Sequence, residues 1–467
     1  MNTTPSPSLS RRLLARNQRP VNAETRRRAV LHWLDWIGCV AAATRSPVAE
    51  VLRHWDMTPG APRHEAALLG MAQDRYHAML LDAGPANVEE MDDMHRQAIL
   101  HPGPVVMPAL AGIARRRPLS AGQVLDGLVR GYEVMIRVGR AVGRRHYFYW
   151  HNTATAGAFG AAAACADALA LPLDHAVWAL GNAGTQAAGL WQVRLEPVMS
   201  KQLHTAHAAW AGMTAASLAS AGFTGPEHIL EGERGFFAAM CEGADLGIVM
   251  RDEGDWLIHE TTFKPWPACR HTHATIDCVL ALREQLGGTP LPFTGCVVES
   301  FGDALSICDN RRPVTRTQAK FSLQYCVAAA AELGPLAPEY FDEAFVARER
   351  LQAGAQSVTL KPAPDIDALY PDHYGARVTM TMPDGRIVVH QVRDSLGDPE
   401  RALSPQAVFD KARKLMAYGG VAQDRAEEVL TAASALMDAL GSGDVASQRP
   451  MEEAFPDALL NPLFPAR

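Results

Sequence analysis

Residues 263–273 read FKPWPACRHTH, and the pattern of the chain changes there. Before it, from residue 24 to about 245, apolar residues recur at helical spacing. ETRRRAVLHWLDWIGCVAAAT (24–44), PVVMPALAGIARRRP (104–118), AGQVLDGLVRGYEVMIRVGRAV (121–142) and AGAFGAAAACADALAL (156–171) all do so. Small residues dominate 157–166 and 207–222, so those helices should pack closely at the centre. After it, FTGCVVESFG (293–302) and QSVTLKP (356–362) read as strands, and ARVTMTMPDGRIVVHQV (376–392) as a hairpin around Pro-Asp-Gly. QAKFSLQYCVAAAAELG (318–334) and FVARERLQAGA (345–355) read as helices between them. Helix returns in 404–418, with Ser404 a candidate N-cap, and in 425–441. The expected fold is therefore mainly α: one discontinuous helical domain (21–265 and 397–467) with an α+β domain (266–396) inserted, and a basic tail over 1–20.

Composition narrows the function. The chain has 467 residues, 48% apolar and 20% charged, with a net charge of -7 and no long basic run. Nucleic acid has no electrostatic footprint to bind. Eight scattered cysteines with no CxxC pair read as reduced, buried thiols, not as a disulfide framework or iron–sulfur ligands. HWLDWIGCVAAA (32–43) is too short and carries Asp35, so it reads as a buried helix, and no membrane is expected. The four arginines and absent acids of residues 1–20 fit a frayed tail or a presequence. The expected compartment is the cytoplasm. No GxGxxG opening a βαβ unit, no phosphate loop and no nucleophile elbow is present.

Five polar knots remain. EMDDMHRQAILHPG (90–103) spaces Glu90 from Asp93 and Asp92 from His95 by three, a common face if helical, and is otherwise a solvated acidic turn. In HNTATAG (151–157), His151, Asn152, Thr153 and Thr155 precede a small-residue helix and can meet an anion or merely cap it. SKQLHTAH (200–207) sets Lys201, His204 and His207 on one helical face, where Lys201 either meets an anion or snorkels to water. His204 and His207 lack the further ligands of a zinc site, so no metal is expected. FKPWPACRHTH carries Lys264, Cys269, Arg270, His271 and His273; Cys269 beside Arg270 is either an activated thiol or an inert buried one. Lys320 and Tyr325 lie in an apolar helix, Tyr325 being a core tyrosine or a proton donor.

In order along residues 25–440, these knots resemble the MmgE/PrpD family, together with GYEVMIRVG (131–139), GFTGPEHILEGERGFF (222–237) and LGDPERALSPQAVFDK (396–411). The resemblance implies a helical domain built from both chain ends, an inserted α+β lid, a homodimer, and a site between the domains that needs no metal or organic cofactor. It implies a small di- or tricarboxylate substrate and proton removal next to a carboxylate. Carried over by motif, Glu90 and Asp93 match the acidic pair, and His101 the HP histidine. His151 matches the histidine before the small-residue helix, Lys201 and His204 the KxxLH segment, Lys264 the lid lysine and Tyr325 the SxxY tyrosine. His151 or His101 is the implied base, oriented by Asp93, with Tyr325 a candidate acid. Cys269 is a further catalytic candidate. Lys201, Lys264 and Arg270 would hold negative charge, with Glu90, His204 and Thr153 binding substrate. Met94 departs from the family's threonine, and Cys269 from the decarboxylating members' histidine. The implied reaction is a hydro-lyase; the alternatives are a dicarboxylate epimerase and a carboxylate-binding protein of the same fold.

Overall fold

The computed structural model describes residues 6–54, 75–196, 198–288, 290–441 and 456–460. The chain divides into two compact units. One comprises Met1–Val88, Asp92–Thr261 and Pro405–Arg467, the other Glu89–Met91 and Thr262–Ser404. Among the described residues the first is helical, and the second carries the sheet.

Helix Gly157–Ala168 is the axis of the helical unit. Its side chains are nearly all Gly and Ala, so helices Ala121–Ala141, Ser200–Ser220, Leu173–Gly184 and Gly103–Ala114 pack directly on it. Glycine sets the approach: a Cβ on Gly131 would stand 2.9 Å from the Gly160 carbonyl, and one on Gly212 2.4 Å from Ala161 Cβ. Such close contact gains dispersion along the seam. The C-terminal helices complete this unit. Pro405–Tyr418 packs on Ala23–Ala42, with Lys411 paired to the buried Asp35 at 2.5 Å.

Four strands form one sheet in the order β2-β1-β3-β4: β1 (Gly295–Ser300), β2 (Val358–Pro362), β3 (Ala376–Thr381) and β4 (Ile387–Val392). β1 runs parallel to β2 and antiparallel to β3, and β3 and β4 form the hairpin around Asp384-Gly385. Cys296, Val298, Ala376, Val378 and Met380 alternate inward, and helix His273–Gln285 packs against β3 and β4. The fold is thus mainly helical with an inserted α+β region.

Local expectations change in three places. Of the tail expected over 1–20, residues 1–5 lie outside the described residues, but Leu9–Arg16 is a helix. Ser8 caps it, Leu9, Leu13 and Leu14 are buried, and Arg11 reaches Glu227 at 2.8 Å, so the segment is anchored. The helix read over 318–334 is two, Arg316–Lys320 and Leu323–Leu333. Ser322 breaks it, donating to the Asn310 carbonyl and capping the Tyr325 N–H. The helix read over 345–355 likewise breaks at Ala347-Arg348. In the C-terminal part, 442–455 and 461–467 lie outside the described residues.

Candidate active site

Residues 88–101 form turns closed by a bridge between His95 and Leu100, not a helix, and Glu90 adopts φ +55°. The acids therefore do not share a helical face. Glu89 and Glu90 belong to the sheet-bearing unit, Asp92 and Asp93 to the helical one.

In the helical unit, Asp93 is a hub. Its Oδ2 accepts from Tyr132 Oη at 2.6 Å and faces His32 Nδ1 at 2.8 Å, while Oδ1 accepts the Gly103 N–H at 2.9 Å. That last bond caps the helix starting at Gly103. Burial pushes His32 down to about 4, against the pull of Asp93, so the imidazole is neutral at neutral pH and donates from Nδ1. Burial first, then Asp93, raises the Tyr132 hydroxyl well above its usual range.

The Asp93 carboxylate is thus committed to His32, Tyr132 and Gly103. Asp92 Oδ2 lies 2.9 Å from His101 Nδ1. The Asp93 carbonyl lies 2.9 Å from the same nitrogen. The carbonyl accepts from Nδ1, with the Asp92 carboxylate beside it, and that tautomer leaves the lone pair on Nε2. The His101 backbone N–H donates to Thr153 Oγ1 at 3.1 Å, so Thr153 positions this histidine instead of capturing an anion. Asn152 and Thr155 are also spent inside the fold, on the Ala98 carbonyl and on His146.

His151 is buried at the start of the short helix Asn152–Thr155, its ring 4.3 Å from that of Trp191. Its N–H donates to the Gly189 carbonyl at 2.9 Å. Gly189 has φ +125° and would bring a Cβ within 2.8 Å of Ala154 Cβ, so only glycine fits. Burial, then Lys201, His204 and His101, holds His151 well below the usual imidazole range. His204 Nδ1 stands 3.4 Å from His151 Nδ1, and burial lowers His204 too. His101, His204 and the half-buried Lys201 are thus the groups that act on His151, and His151 and His204 are both held below the usual imidazole range. His207 faces away, to the Gln186 carbonyl.

In the sheet-bearing unit the cations are matched. Fully buried Lys264 reaches the Glu90 carbonyl and carboxylate at 3.2 and 3.3 Å. Glu89 Oε2 accepts from Lys320 at 2.7 Å and Arg316 at 2.6 Å, and burial lowers Lys320 to about 8. Arg270 bridges to Asp398 at 2.6 Å, which also takes the Thr262 hydroxyl at 2.8 Å. Arg270 is thus paired inside this unit. Tyr325 is a core tyrosine: its hydroxyl donates to the Tyr340 carbonyl, its ring packs on Phe341, and burial raises its pKa. The neighbours that lower the Cys269 pKa are Cys308 and then His271, not Arg270.

Sequence reasoning missed Asp92's pairing, His32, Tyr132, Glu89, Arg316 and Cys308 as site residues. His32 in an apolar helix was a visible anomaly, but nothing in the sequence marks its partner sixty-one positions away. Among the described residues, one group could hold a metal: His373, Asp394 and Glu400, with ligand atoms within 4.8 Å of one another. Asp394 is already bridged there by His373 and Arg393.

Residues 12–249 match the family model of the MmgE/PrpD N-terminal domain, and residues 266–436 that of the MmgE/PrpD C-terminal domain. The chain is 26% identical over 355 residues to a human cis-aconitate decarboxylase, covering 69% of each chain. It is 26% identical over 365 residues to a cis-aconitate decarboxylase-like protein of Aspergillus oryzae, covering 72% of this chain and 75% of that one. A cis-aconitate decarboxylase of Aspergillus terreus is 29% identical over 219 residues, 44% of each.

Proposed function

The chain belongs to the MmgE/PrpD family, and from that premise we propose a cofactor-independent lyase of hydro-lyase type that takes a proton from the carbon next to a carboxylate. The substrate is a small di- or tricarboxylate. One observation carries the reading: His101 is held with Nδ1 against Asp92 and the Asp93 carbonyl, which leaves Nε2 as the base. Side-chain exposure is 15% for His101, whereas the His151 residue is 2% exposed, so His101 is the more reachable. Lys201, near His151 and His204, supplies positive charge where the substrate carboxylate gains electron density as the proton leaves. His151, neutral, donates a hydrogen bond there or returns a proton. The relatives' names speak of cis-aconitate, itself a small tricarboxylate, which supports the substrate class.

A second reading, epimerisation of a dicarboxylate, is favoured by the nearness of two histidines, His101 and His151, one to take a proton and the other to return it. A panel of small polycarboxylates incubated in deuterated water separates the two. Alkene formation or loss of carbon dioxide, abolished by His101→Asn, supports the lyase. Deuterium at the α-carbon without either product would sink it in favour of the epimerase. Thermal shift without turnover of any acid would leave only carboxylate binding.

A further inference from the structure

The eight cysteines are all buried thiols, and two of them stand at the same distance from a histidine. Cys241 Sγ lies 3.3 Å from His146 Nδ1 in the helical unit, and Cys269 Sγ lies 3.3 Å from His271 Nδ1 in the sheet-bearing unit. Exposure is 8% and 7%, so burial does not separate them either. Their surroundings do. His146 faces the Met240 carbonyl with Nδ1 at 3.0 Å and Thr155 Oγ1 with Nε2 at 2.8 Å. Its Nδ1 proton goes to oxygen, and burial alone pushes Cys241 up to about 12.

His271 is held differently. Its ring packs against Phe301 and Tyr374 at 5.5 and 5.4 Å, and its buried Nε2 has no hydrogen-bond partner among the described residues. A buried N–H without an acceptor is costly, which favours the tautomer with the proton on Nδ1, aimed at Cys269 Sγ. A second donor converges on that sulphur, the Cys308 thiol. Backbone bonds fix both: Cys269 N–H to the Lys320 carbonyl, and Leu323 N–H to the Cys308 carbonyl, each at 2.9 Å. The Cys308 hydrogen bond, then His271, hold Cys269 well below the usual thiol range despite its burial. Of the other groups facing it, the Glu90 carboxylate works against the thiolate, and Cys326 is a neutral thiol pushed up to about 12.

We infer that Cys269, His271 and Cys308 form a reactive thiolate site that takes small soft carbon electrophiles at neutral pH. The sulphur lone pair forms the S–C bond, and the leaving group departs with the electron pair of the bond it breaks. His271 and Cys308 keep their protons throughout. This site stands apart from the carboxylate reading, because alkylation needs no turnover.

The test is iodoacetamide on the folded full chain at pH 6, 7 and 8, with sites mapped by peptide mass. Cys269 should label first, with a rate falling less than ten-fold from pH 8 to 6. A thiol of ordinary pKa loses about 100-fold over that range. Cys241 should stay silent, and Cys308→Ala should return Cys269 to the ordinary slope. Far-ultraviolet thiolate absorbance, parent minus Cys269→Ser, reads ionisation without needing access for a reagent. A thiolate step at or above the ordinary value overturns the inference. So does an unlabelled Cys269, or a Cys241 that labels as fast.

Discussion

Glu89 and Glu90 stand three and two positions from Asp92, yet the two pairs of acids live by different rules. Glu89 and Glu90 face full cations, Lys320, Arg316 and Lys264, with little water. Asp92 and Asp93 face imidazoles, a phenol and a backbone N–H. A buried carboxylate opposite a cation fixes position, because losing either partner strands a charge. A buried carboxylate opposite a neutral donor fixes where a proton sits. The first arrangement should therefore govern stability, and the second chemistry.

The sharpest break of that contrast is Asp92→Asn. Losing the carboxylate at His101 Nδ1 should cost on the order of 10²–10⁴-fold in kcat, on the carboxylate identified by the panel, with the thermal midpoint nearly unmoved. A kcat within a few-fold of the parent would mean that Asp92 does not hold the tautomer. Glu89→Ala should do the reverse and cost about 3–5 kcal/mol of stability in urea unfolding. Glu89→Leu combined with Lys320→Met should restore most of it; a double variant as unstable as the single would contradict a stranded charge.

Asp35 with Lys411 is a charge pair of the first kind inside the helical unit, and it sharpens the contrast through pH. His32 titrates at about 4 in the fold, below the ordinary imidazole value, so the unfolded chain takes the proton first. Its contribution is whole above the ordinary value and is lost as pH falls towards 4, by about 3 kcal/mol at most. Asp35, raised by burial to about 6, takes its proton first in the fold, so its effect runs the opposite way between 6 and its ordinary value. The two slopes offset. Asp35→Asn should uncover the His32 slope, losing about 2 kcal/mol more than the parent from pH 6 to 4. Parallel stability curves would refute the opposition. The smallest effect is Tyr132→Phe, about 1 kcal/mol, because Asp93 keeps His32 and Gly103 as donors; a loss several times larger would make the phenol the chief support of Asp93.

The helical and strand periods were legible, since burial of one face imposes 3.6 and 2 on the sequence. The break at Ser322 was not, because its cap is one side-chain hydrogen bond and leaves the hydrophobic period intact; the break at Ala347-Arg348 has no side-chain cap at all. The candidate histidines and Lys201 were marked by residue type and motif. Their orienters were not: Asp92 and Asp93 are identical in kind and adjacent, and only the turn geometry after Glu90, at φ +55°, assigns each its partner. Arg270 and Tyr325 misled for the same reason. A cation or a phenol in an apolar stretch looks functional until Asp398 or the Tyr340 carbonyl is seen beside it.

The placing of Pro405–Tyr418 against Ala23–Ala42 has a consequence for the order of birth on the ribosome. The helical unit cannot close until its last helices emerge, and Thr262–Ser404 is synthesised in between. Translation at about 5–20 residues per second makes that a wait of roughly 7–30 s. The sheet-bearing unit, with Glu89 and Glu90 already made, has all its counter-ions in hand before then. The piece inserted in the sequence is thus equipped to fold first, and the framework that carries it is finished last.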